Sequence, residues 1–121
     1  MKVLMLSGDA FVLNPNSPAG RRTEDYRRVL GELDVLLCQS NVLSFVSGFV
    51  KGFQLLRKKG FDIITAQSPE HWFFAWVYSK IFKVPWQMQI HTDILNKYFW
   101  QESFINKIRV ILAKFLISRA N

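Results

Sequence analysis

Four short apolar runs, each followed by a segment long enough for a helix, restrict the fold of this chain more than any other feature. The runs are Lys2 to Ser7, Asp34 to Cys38, Phe61 to Ala66 and Trp86 to Ile90. Short continuous apolar runs suit strands covered on both faces, and such strands pair in parallel when a helix carries the chain back after each one. The order β-α-β-α-β-α-β-α therefore predicts an α/β domain: a Rossmann-like, three-layer arrangement around a parallel sheet of about four strands. With 121 residues, one such domain is expected, near the short end for its class.

The helical segments differ in character. From Arg21 or Arg22 to about Glu32 the spacing of Tyr26, Val29, Leu30 and Leu33 predicts a helix whose other surface is crowded by arginine. Asn41 to Lys59 carries a stripe of Val42, Val46, Phe49, Phe53 and Leu56, weakened by Gly48 and Gly52 and closed by Gly60 as C-cap. Pro69 and Glu70 fit a helix start, and the segment from there to Phe82 is apolar almost all round, which calls for burial on several sides. His71 within it reads as a surface residue. Gln101 to Ser118 predicts a last helix with Phe104, Ile108, Ile111 and Phe115 inward and Lys107, Arg109 and Lys114 outward. After a βα unit another strand is expected, so the chain reads as part of a larger sheet.

Half the residues are hydrophobic, with eleven Phe and four Trp, which excludes disorder. Apolar runs stay well short of the roughly 20 residues a bilayer crossing needs. Formal net charge is +7, favouring contact with something anionic: membrane headgroups, nucleic acid or a phosphorylated substrate. Charge alone does not choose among them, and no nucleic-acid motif accompanies it. The single cysteine, Cys38, reads as a small buried hydrophobe and points to a reducing compartment.

Function is sought where open α/β sheets bind ligands, outside the carboxyl ends of the strands. The fourth run delivers His91 and Asp93 there; the alternative is an ordinary loop histidine and a helix N-cap. The loop from Gly8 to Gly20 holds no Gly-rich nucleotide cradle. At its end, Gly20 and Arg21 stand at a helix start, where backbone amides and the helix dipole favour an anionic group.

Taken together, the opening Met1 to Ser7, Gly20 before a basic helix, Phe61-Asp62-Ile63-Ile64-Thr65-Ala66-Gln67-Ser68-Pro69, Gln89-Ile90-His91-Thr92-Asp93, and Ile108 to Leu116 followed by Arg119-Ala120 resemble the N-terminal domain of glycosyltransferase family 4, retaining enzymes of two-domain GT-B fold. The resemblance covers essentially the whole chain. It implies an acceptor-side domain that binds no cofactor of its own, partnered by a C-terminal donor-binding domain or a second chain that brings a nucleotide-sugar. It implies hexose transfer without a required metal to a glycan or lipid-linked acceptor, with the chain inactive alone, in the cytoplasm or at the inner membrane face. By the same resemblance His91 contacts the transferred sugar, Asp93 shares its loop, Gly20 and Arg21 lie near the donor phosphates, and Ser68, Pro69 and Glu70 line the acceptor side. The family's paired glycine is here Ala19-Gly20, and the stretch from Cys38 to Phe61 is short for the additional strand common in that domain. A competing expectation is a basic, non-catalytic binding module that docks on an anionic membrane or a partner polypeptide.

Overall fold

In the computed structural model, which describes residues 1–39, 41–89 and 103–119, the apolar runs form one four-stranded sheet. Its strands are β1 (Lys2–Ser7), β2 (Glu32–Leu37), β3 (Ile63–Ala66) and β4 (Trp86–Met88), all parallel, in the spatial order β2-β1-β3-β4. β1 thus lies inside, hydrogen-bonded to β2 on one side and β3 on the other. From β2 the chain crosses over β1 to reach β3, so the direction of winding reverses between β1 and β3, the position at which open α/β sheets bind ligands at their carboxyl ends. Ile90, expected at the end of β4, lies outside the described residues.

Register decides which side chains share a face. Val3 pairs with Leu33 and Ile63, and these join Met5 in a cluster that also takes Val12 from a short 3-10 turn, Ala10–Leu13, and Ala19 and Leu30 from α1 (Pro18–Leu30). Leu4 pairs with Ile64, which pairs with Trp86, on the opposite face; there the larger cluster takes in α2 (Val42–Lys58), α3 (Pro69–Phe82) and α4 (Phe104–Ile117). The alternation of side chains along each strand therefore separates two helix layers around the sheet.

Helix α1 begins earlier than its spacing suggests and buries a different side. Ser17 caps it by accepting from the Gly20 amide at 2.9 Å, and Pro18 takes the first helical position. Gly20 and Thr23 are the buried residues, whereas Tyr26 is exposed, Val29 is 84% exposed, and Leu33 belongs to β2. Small residues face inward because the Asn14–Pro15 turn lies against the helix: a Cβ on Gly20 would stand 1.7 Å from the Asn14 carbonyl oxygen. Gly31, at φ 93°, ends the helix in a conformation few other residues tolerate.

The other layer is organised on α3. Trp72, Phe74, Ala75 and Tyr78 are essentially inaccessible, in keeping with the near absence of polar surface on this segment. Phe74 meets Phe45 and Phe49 of α2 at ring-centroid distances of 4.4 and 5.0 Å, and Phe49 stacks on Tyr78 at 5.1 Å. Each such large side chain, fully buried, contributes about 1.5–3 kcal/mol. The Tyr78 hydroxyl donates to the Phe49 carbonyl at 2.5 Å, so the one polar atom of that ring is satisfied. Gly48 and Gly52, which weaken α2 as an isolated helix, are its contact face: a Cβ would lie 2.7 Å from Cys38 Sγ at Gly48, and 2.4 Å from Tyr78 Oη and 2.8 Å from Leu36 Cδ2 at Gly52. Val42 and Val46 of the expected stripe are exposed instead. Lys59, not Gly60, caps the helix, and it does so in extended backbone.

Helix α4 is turned over relative to expectation. Asn106, Val110, Ala113 and Leu116 are buried, while Phe104, Ile108, Ile111 and Phe115 face outward. Arg109 explains the choice, because it lies on the buried side and its Nε donates to the Glu70 carboxylate at the start of α3. Rotating the apolar stripe inward would carry that guanidinium away from its partner.

Close approach at the two glycines sets a direct expectation for stability. Gly48→Ala and Gly52→Ala each lower the unfolding free energy by about 1–3 kcal/mol through overpacking. Gly60→Ala, where a Cβ would meet no atom within 4 Å, changes it by less than about 0.5 kcal/mol. Urea unfolding of the three variants measures the contrast, and equal effects at all three positions would contradict it.

Candidate functional site

The carboxyl ends of the inner strands carry a set of polar residues drawn from four elements. Ser7, the last residue of β1, is fully buried; its hydroxyl donates to Gln67 Oε1 at 2.6 Å and accepts from the Asp9 amide at 3.2 Å. Gln67 follows β3, and its amide donates to the Leu6 carbonyl. Beyond it, Ser68 stands at the N-cap of α3, followed by Pro69 at the first helical position and Glu70 in the first turn.

His71 knits these pieces together and is no surface residue. It is 5% exposed, with Nε2 3.0 Å from the Cys38 carbonyl just past β2 and Nδ1 2.5 Å from Ser68 Oγ. A carbonyl can only accept, so in the neutral ring the proton sits on Nε2 and Nδ1 accepts from the Ser68 hydroxyl. Burial pushes the imidazole below its ordinary 6.5, assisted by the Arg109 charge and opposed by the Cys38 carbonyl and the Glu70 carboxylate. Gly8 leaves room for the ring, since a Cβ there would come 3.1 Å from His71 Cε1. The imidazole thus ties the end of β2 to the β3–α3 loop, over the end of β1.

Glu70 occupies the adjoining position. Burial by itself would raise its carboxyl, but its own helix-start amide, the Arg109 guanidinium and the Ser68 hydroxyl together hold it below the usual carboxylate range. It therefore presents an ion pair to the edge of the sheet. Cys38, whose carbonyl meets His71, has its thiol pushed up to about 11, chiefly by burial and despite the Lys51 charge, so it is protonated and inert.

A serine whose hydroxyl points at a histidine nitrogen invites comparison with nucleophilic sites, where an acid orients the imidazole and stabilises its cation. Here the orienting group is a peptide carbonyl, the ring is buried, and cation formation is disfavoured. That chemistry suits a rigid clamp rather than a proton shuttle. Among the described residues no three His, Cys, Asp or Glu side chains come together to hold a metal ion.

The expected residues fall into three groups. Ser68, Pro69 and Glu70 lie together at the edge just described, with Pro69 buried. Gly20 and Arg21 sit in the first turn of α1, where the Gly20 amide is taken by Ser17 and Arg21 Nη1 donates to the Asn16 carbonyl at 3.0 Å. Gly20 thus has a packing reason of its own to be glycine. His91 and Asp93 lie outside the described residues. The sequence reading missed His71, Ser7 and Gln67; the available signal was Ser68-x-x-His71, the spacing by which a third-position side chain reaches back to an N-cap residue. A shallow depression lined by Ser79, Lys80, Lys83, Val84 and Pro85 lies at the opposite end of α3 and collects no comparable groups.

The neutral clamp makes stability depend on pH in a defined window. Above 6.5 both folded and unfolded chains keep this histidine neutral; below it the unfolded chain binds a proton that the folded one resists, so stability falls with pH. The Glu70 contribution is present above 4.5 and is lost only as pH drops below that. Melting temperature should therefore decline between about pH 7 and pH 5. In His71→Gln, which can still donate to Cys38 and accept from Ser68, that part of the profile should flatten; an unchanged slope would show that His71 does not cause it. Compared with family models, with curated proteins and with solved structures, the chain matches none of them.

Proposed function

We propose that the chain is the acceptor-side domain of a retaining sugar transferase of the GT-B type, similar to glycosyltransferase family 4. The observation that carries this reading is the sheet order β2-β1-β3-β4, whose switch point at β1 and β3 is edged by Gln67, Ser68 and the Glu70–Arg109 pair, with buried Ser7 holding Gln67 from beneath. Such an edge offers hydroxyl, amide and carboxylate groups in fixed positions, which is what recognition of a polyhydroxylated acceptor requires. The clamp at His71 keeps that edge rigid, so little ordering entropy is lost when a ligand binds.

In this proposal the nucleotide-sugar arrives on a C-terminal donor domain or a second chain, and the crevice between the two closes around the transferred hexose. Breaking a sugar–phosphate bond builds negative charge on phosphate and positive character at the anomeric carbon. His91, with Asp93 in the same loop, follows β4 and is assigned to the transferred sugar; Gly20 and Arg21 at the start of α1 are assigned to the donor-phosphate side. Ser68, Pro69 and Glu70 bound the acceptor. The acceptor is a glycan or lipid-linked sugar, and the setting is the cytoplasm or the inner membrane face.

The test joins this chain to a GT-B donor domain and follows nucleotide release from a panel of nucleotide-hexoses with glycan and lipid-linked acceptors. His91→Ala is expected to lower kcat by about 100-fold or more while acceptor KM changes little. Equal losses in turnover and acceptor binding would remove the transition-state role assigned to His91.

A further inference from the structure

Inversion of α4 leaves an apolar strip in solvent. Phe104, Ile108, Ile111 and Phe115 are 75%, 51%, 61% and 42% exposed, and their spacings of four, three and four residues keep them within about 60° of arc on one helix face. The strip continues onto α3, because Phe115 meets Trp76 edge to face at 5.7 Å and Trp76 lies 6.1 Å from exposed Phe73. Scattered exposed hydrophobics need no explanation, but a contiguous strip on a helix marks a contact surface.

Charge selects the occupant. Lys107 and Lys114 border one side of the strip, Arg119 borders the other with its guanidinium 3.8 Å over the Phe115 ring, and α4 contains no acidic residue. The same holds across the layer: α2 carries Lys51, Arg57 and Lys58 and no acid, while the only acid on α3 is Glu70, already paired with Arg109. Described acids such as Glu24, Asp25, Glu32 and Asp62 lie instead on α1, β2 and the loop before β3. An apolar strip edged by cations, on described helices whose one acid is already paired, complements a hydrocarbon boundary beneath anionic headgroups.

We propose that the α4 face docks on an anionic lipid bilayer. Phe104, Ile108, Ile111 and Phe115 enter the acyl boundary with the helix axis parallel to the surface, and Lys107, Lys114 and Arg119 engage headgroup phosphates. No described helix is long and apolar enough to cross the membrane, so attachment is interfacial. Because each aliphatic side chain already faces solvent, acidic substitutions there leave the core intact. This surface stands independently of the sugar-transfer reading.

The experiment is co-sedimentation of the full chain with vesicles of phosphatidylcholine and phosphatidylglycerol in equal parts, against phosphatidylcholine alone, at low and high salt. Binding to the mixed vesicles is expected to be at least about tenfold tighter than to phosphatidylcholine, and to weaken with salt. The double variant Ile108→Glu, Ile111→Glu should lose about tenfold or more of that binding at an unchanged melting temperature; Lys107→Glu, Lys114→Glu should lose the preference for anionic vesicles. Equal binding to both vesicle types, or retention by the double isoleucine variant, would overturn the proposal. So would a concentration-dependent dimer that the isoleucine variant dissolves in the absence of any lipid binding, since the strip would then belong to a second copy.

Discussion

The packing of α3 against α2 is the interaction on which the remaining structure rests. A helix with almost no polar surface must be covered on every side but one, and here the sheet, α2 and α4 cover it. Coverage at that density requires α2 to approach closely, and the bare backbones at Gly48 and Gly52 permit it. The helical propensity lost at two glycines, about 1 kcal/mol each, is offset by aromatic contacts that no larger residue would allow. Once α3 is fixed, its N-terminus fixes Ser68, Glu70 and His71, and through Glu70 it fixes the rotation of α4.

The succession of strands and helices along the chain follows from local pattern, which is why the α/β class was legible from the alternation of apolar runs, whereas the spatial order β2-β1-β3-β4 was not. The strand Lys2–Ser7 and the start of α3 at Pro69 were readable because continuous apolar character and a first-turn proline are local signals. Helix faces were less legible. In α1 and α4 the largest apolar side chains were taken for the buried ones, yet each helix turns small residues or a paired charge inward: Gly20 and Thr23, Ala113 with Arg109; in α2 the expected stripe holds at Phe49, Phe53 and Leu56, but Gly48 and Gly52 join the contact face while Val42 and Val46 are exposed. Such preferences arise from what the helix meets across the layer, information that a spacing count within one segment does not contain. His71 was misread for the same reason, since its partners are a backbone carbonyl 33 residues away and a serine whose orientation depends on the helix cap.

On the acceptor-domain reading, the carboxyl edge of the sheet serves both fold and ligand binding. The hydrogen bonds among Ser7, Gln67, Ser68 and His71 hold this edge rigid, and the ion pair of Glu70 with Arg109 neutralises a charge that would otherwise be costly at a half-buried position. The acceptor-domain proposal draws on this edge and on the residues that follow β4. The membrane proposal draws on the opposite consequence of the same ion pair, the outward turn of the α4 strip. If both hold, a lipid-linked acceptor would meet the domain on the surface where its substrate resides.

On the proposed function, ligands are received at the carboxyl ends of β1, β3 and β4. Backbone-amide NMR shifts, recorded as glycan and lipid-linked sugar acceptors are added to the isotopically labelled chain, test it most directly. The account predicts that the largest shifts cluster at Gly8, at Gln67 to His71 and at His91. Shifts centred on Ser79 to Pro85, at the other end of α3, would contradict it.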